Sequence, residues 1–107
     1  MGLPDEFVQQ MLDELERLSF DYAAARANSR AAEENRKIVK SQLKRAFSGS
    51  NTAAEDYAHV HPKYKAAVKE MCDAGEKEDS AKWQLEIQKM KFEAWRTLSA
   101  NERIARL

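Results

Sequence analysis

The residues best suited to chemistry in this chain are two histidines and a lone cysteine. His59 and His61 form an H-x-H, with Cys72 in the helical stretch that follows. Imidazole nitrogens and a thiolate are zinc ligands, but a tetrahedral site wants a fuller ligand set, so the histidines read as connector residues and no metal ligand is assigned. A reactive thiol needs an electropositive neighbourhood. Cys72 has Glu70 and Asp73 beside it, so it is expected to be inert, a small buried or seam residue. There is no glycine-rich phosphate loop and no metalloprotease motif, and the carboxylates are spread over helical positions where solvated charge is the default. The expectation is a non-enzymatic protein with no catalytic residue, metal or cofactor.

Basic side chains offer a different chemistry. Arg36, Lys40 and Lys44 recur every four residues on one helix face, with Lys37 and Arg45 beside them and Lys63, Lys65 and Lys69 entering from the next helix. Such a cluster can contact successive phosphates, with affinity that falls steeply as salt rises. Tyr57 and Tyr64 are near enough in sequence to stack on bases of a single strand. The competing reading is a solvated lysine-rich face.

The stretch Lys82 to Arg96, KWQLEIQKMKFEAWR, holds both tryptophans and no turn-forming residue. At about 100° per residue, Trp83, Ile87, Met90, Ala94 and Leu98 fall on one stripe, and Leu85, Phe92 and Trp95 fall roughly opposite. A helix covering one side of a small core needs a single apolar stripe. Two stripes call for two partners, one of them the long helix at the other end of the chain. The second partner is expected to be another copy, giving a homodimer, or a foreign protein, engaged through Trp83, Ile87, Met90, Phe92, Trp95 and Arg96. The rival is that the N-terminal segment or the short helix wraps round and covers the second stripe within one chain.

Those residues are carried on helices. Charged residues make up 34% of the 107, with only 3 Gly and 2 Pro, a composition that favours long helices. β-branched residues nowhere alternate with polar ones over a strand length, so the fold class is all-α. Pro4 suits a first helical turn with Asp5 and Glu6 at the positive dipole end. From there Val8, Met11, Leu15, Leu18, Tyr22, Ala25, Ser29, Ala32, Arg36, Val39, Leu43 and Ala46 recur at alternating three and four, a heptad seam. One helix over about residues 4–48 follows, stopped at Ser48-Gly49-Ser50-Asn51 with Gly49 as C-terminal cap. Thr52-Ala53-Ala54-Glu55 spells a capping box for a short helix over about 52–60. Pro62 ends it, since it disfavours helical geometry at His61, and opens a last helix over about 62–104 with a seam through Tyr64, Val68, Met71 and Gly75. Gly75 is its weak point, where a continuous helix competes with a kink. The expected architecture is a single domain, residues 1–107, an elongated antiparallel hairpin of two long helices with a short third helix at the connection. Charge agrees. Acids dominate residues 5–34 and bases dominate 36–69 and, more mildly, 82–107, so an antiparallel return sets the acidic start beside a basic end.

A single cysteine excludes an intramolecular disulfide framework and fits a reducing compartment. No apolar run approaches the roughly 18 residues of a membrane span, and MGLPDEF lacks the regions of a signal peptide. Glu6 stands where myristoylation expects Ser or Thr. A cytoplasmic protein is expected, with no membrane partner.

The order of features resembles a group of small all-helical proteins of unknown activity encoded in bacteriophages and prophages. The likeness is carried by the Ala-rich middle of the first helix, Arg36-Lys37 to Leu43, then Tyr57, His61 and Tyr64, and finally Trp83-Gln84-Leu85 and Phe92-Glu93-Ala94-Trp95-Arg96-Thr97. Such genes often sit near phage recombination and replication functions. The resemblance implies the cytoplasm of a bacterial host and an accessory role on DNA or on DNA-processing proteins. Alternatives are an inhibitor occupying a host nuclease or defence complex, and a structural coiled-coil adaptor. It supplies no catalytic residue.

Overall fold

The computed structural model describes residues 2–106, with side chains from Glu6 onward, so the roles expected of the Pro4 and Asp5 side chains lie outside the described residues. Three helices follow one another: α1 (Gly2–Ala46), α2 (Asn51–Val60) and α3 (Pro62–Arg106). No strand occurs among the described residues, and no helix is long and apolar enough to cross a membrane. The chain divides into two compact units.

The first unit joins the start of α1, to Ala23, with α3 from Asp79 onward. Its core is thin because only two helical segments build it. Met11 and Leu18 of α1 and Leu85 of α3 are buried, flanked by the half-buried Val8, Leu15, Ala81, Gln88, Phe92 and Trp95. These positions alternate by three and four residues, the spacing that keeps one stripe of a helix on a neighbour. Phe7 closes the stripe, its ring tilted 56° to that of Trp95 at 5.8 Å, and Trp95 in turn lies 6.0 Å from Phe92. Described salt bridges here are local to one helix: Arg17 holds Glu14 and Asp21, Lys89 holds Glu86, and Arg96 holds Glu93. Contacts of this kind steady a helix by a few tenths of a kcal/mol each and do not join two.

The second unit, Ala24–Glu78, contains the rest of α1, all of α2 and the start of α3. Three elements enclose more than two. Leu43, Ala58 and Tyr64 form its buried centre, with Val39 and Val68 packed against them, and Ala58 has no exposure at all. Ala32, Ala54 and Ala67 are also buried, so small side chains let the backbones come close. Arg36, at a seam position of α1, donates from Nη1 to the Tyr64 hydroxyl at 3.2 Å, while its Nε is shut off from solvent with no partner among the described residues.

The connection departs from the expected turn chemistry. α1 ends at Ala46, two residues early, and the Phe47 N–H donates to the Lys44 carbonyl at 3.3 Å. Gly49 is not a left-handed cap, since no described residue has positive φ. Its reason is space: a Cβ there would lie 2.8 Å from the Phe47 ring, and that ring stacks on Tyr57 at 4.9 Å. The helix cap is Ser50 rather than Thr52. Extended at φ −70° and ψ 159°, Ser50 accepts from the Ala53 N–H at 3.2 Å, which satisfies one of the open donors of the first turn. That shift by two residues frees Glu55 from any capping box, and it reaches across to α1 instead. At the far end α2 stops at Val60, with the His61 N–H donating to the Ala58 carbonyl, and Pro62 begins α3. Through Gly75 that helix is unbroken.

Candidate protein-docking surface

Of the two stripes on the last helix, α1 covers one. Leu85 is 6% exposed, whereas Trp83, Ile87, Met90 and Leu98 are 62%, 46%, 59% and 63% exposed, and Ile104 beyond them is 69% exposed. Trp83 and Ile87 each lie two positions from Leu85, which at 100° per residue turns them to the far side. The outer positions Ser80, Trp83, Ile87, Met90, Ala94, Thr97, Asn101 and Ile104 again alternate by three and four. A second heptad seam runs along the back of the first, about 31 Å from Trp83 to Ile104 at 1.5 Å per residue.

The residues expected to make an interface therefore divide. Trp83, Ile87 and Met90 lie together on the outer seam. Phe92 and Trp95 are half-buried in the inner one, where Trp95 meets Phe7 and Phe92. Arg96 pairs with Glu93 at 3.1 Å, on the flank between the two stripes. Leu98 and Ile104 belong with the outer group. Continuing the three-and-four count past Arg96 would have found Ile104, a residue that composition alone does not distinguish.

The basic residues of the second unit are more occupied than their sequence suggests. Glu55 of α2 takes Lys44 at 2.7 Å and Lys40 at 3.0 Å, and hydrogen bonds first from Lys44 and then from Lys40 hold its carboxyl at about 2, well below the usual 4.5. Lys37 pairs with Glu34 at 3.3 Å, and Arg36 is committed to Tyr64. Arg45, Lys63 and Lys65 are exposed and make no ion pair among the described residues.

His59 and His61 serve the connector. The His59 ring meets Tyr64 edge-on at 5.3 Å, and its Nε2 lies 3.8 Å from Glu55. His61 packs against Tyr57 and accepts the Lys63 N–H at Nδ1. No group of metal-ligating side chains is assembled among the described residues. Cys72 is exposed rather than buried, because the seam passes through Met71 and leaves the next residue on the flank.

No family model, no curated protein and no solved structure matches this chain.

Proposed function

We propose that this chain is a non-enzymatic helical accessory protein that works by docking a protein on the outer seam of α3. The observation that carries it is the continuous exposed row of Trp83, Ile87, Met90 and Leu98. Apolar side chains scattered singly over a surface need no explanation, but a contiguous row rimmed by charge marks an interface. Fully burying a side chain of this size contributes about 1.5–3 kcal/mol, so covering the row gains several kcal/mol. An antiparallel hairpin presents the row without obstruction. It is supported in the second unit by Leu43, Val39 and Arg36 meeting Tyr64 and Val68, and in the first by Phe7 meeting Trp95. The likeness to phage-encoded helical proteins supports an accessory role near recombination or replication.

A photo-crosslinking amino acid at position 87 tests the reading, with one at Arg26 as an exposed polar control. Crosslinking in cells to a protein, whether another copy or a foreign chain, is expected at 87 and not at 26. Equal or absent crosslinking at the two positions would remove the docking surface.

A narrower contact with nucleic acid is favoured by the exposed Arg45, Lys63 and Lys65. Fluorescence anisotropy with single-stranded and duplex DNA should detect binding at low salt that is lost at moderate salt and abolished by Lys65→Glu with Lys63→Glu. No binding at low salt would sink it.

A further inference from the structure

We propose that the occupant of the outer seam is a second copy of this chain, whose α3 lies parallel to the first and in register. The inference rests on the docking reading above and adds the partner and its orientation. In heptad notation, Ser80, Ile87, Ala94 and Asn101 take position a of the outer seam, and Trp83, Met90, Thr97 and Ile104 take position d. A β-branched residue at a favours two strands, and one asparagine at a fixes register by bonding its own counterpart across a parallel pair. Asn101 is exposed and is the one amide among the outer-seam positions from Ser80 to Ile104. Ala94 facing Ala94 lets the two backbones approach closely.

The flanking charges decide orientation independently. Position g holds Asp79, Glu86, Glu93 and Ala100, and position e holds Gln84, Lys91, Leu98 and Ala105. A parallel pair sets g of one helix against the following e of the other, so Glu86 meets Lys91 of the second copy on both sides of the seam. An antiparallel pair sets g against g and e against e. That would line acids against acids and Lys91 against Lys91, and like charges so placed repel. Among the described residues Glu86 pairs with its own Lys89 alone, at 3.3 Å on the surface, an exposed local pair that a second copy can share.

Charge exchange reads the orientation by its sign. Sedimentation of the full chain is expected to give a dimer, and Glu86→Lys to weaken it by about three- to tenfold in Kd, in proportion to two exposed pairs turned repulsive. Adding Lys91→Glu to that variant should restore the wild-type Kd. Tighter association of Glu86→Lys alone would mean acid had faced acid, overturning the parallel arrangement. In a Cys72→Ser background, Ser80→Cys and Asn101→Cys should each form disulfide-linked dimers with themselves on mild oxidation. Crosslinks arising only when the two variants are mixed would also overturn it. A wild-type chain that sediments as a monomer at high concentration removes the second copy while leaving the position-87 crosslink to judge the docking surface. A dimer untouched by Ile87→Glu, with helical content retained, would remove the docking surface itself.

Discussion

The two units of this protein are built from the same kinds of helix and end differently. Three segments meet in the second unit, and they enclose Leu43, Ala58 and Tyr64. Only two meet in the first, and a pair of helices can cover one stripe on each and no more. The outer apolar row of α3 stays in solvent there because, among the described residues, no third segment packs in that unit as α2 does in the other. Electrostatics follows the same division. In the first unit the described ion pairs stay within one helix, whereas Glu55 ties α2 to α1 through Lys40 and Lys44. The lesson is that an amphipathic pattern says how many faces a helix wants covered, and the number of elements within reach decides how many are.

Paired truncations test that contrast most strongly. Leu43→Ala should destabilise the fold by about 2–5 kcal/mol through lost burial and the cavity left behind, read from urea or thermal unfolding. Ile87→Ala, measured at a concentration low enough to keep the chain monomeric, should stay within about 0.5 kcal/mol as an exposed site. Similar losses at both positions would mean the outer row is covered within one chain, and the comparison would collapse.

A smaller effect is expected at Gly75. A Cβ there would meet nothing within 4 Å, and φ is not positive. Gly75→Ala should therefore raise unfolding stability by about 0.5–1 kcal/mol, through helix propensity and a less flexible unfolded chain. A loss of stability would show that the glycine is held for a bend or a close contact. The smallest change sharpens the electrostatic half of the contrast. Glu55 titrates near 2 when folded against 4.5 ordinarily, so its ionised form is favoured by folding. Its contribution is complete above pH 4.5 and is lost as pH falls from there towards 2. Glu55→Gln should flatten the pH dependence of stability across that window, followed by thermal unfolding at a series of pH values, and an unchanged profile would show the clamp to be inconsequential.

Much of this architecture is written in periodicity. The three-and-four recurrence from Val8 to Leu43 on α1 marks the positions that are buried or half-buried, because side-chain direction along a helix is fixed by 3.6 residues per turn. Ala46, the last residue of α1, is exposed. The opposed stripes around Trp83 and Leu85 were equally legible. Which of them faces inward was not, since both are apolar; the structure buries Leu85 with Met11 and Leu18 and leaves Trp83 outside. Turn details were the least legible. Ser50 and Thr52 are both good caps, and nothing in the sequence ranks one over the other; Ser50 takes the role in the structure. The partners of Lys40 and Lys44 were hidden for the related reason that Glu55 had an equally good local use at the start of α2.

The placement of the two indoles has a practical consequence. Trp95 sits against Phe7 and Phe92, while Trp83 is largely in water. The emission of one will follow separation of α1 from α3, and that of the other will follow occupation of the outer row. The protein thus carries its own two-channel optical probe, and replacing either indole by phenylalanine isolates the remaining signal.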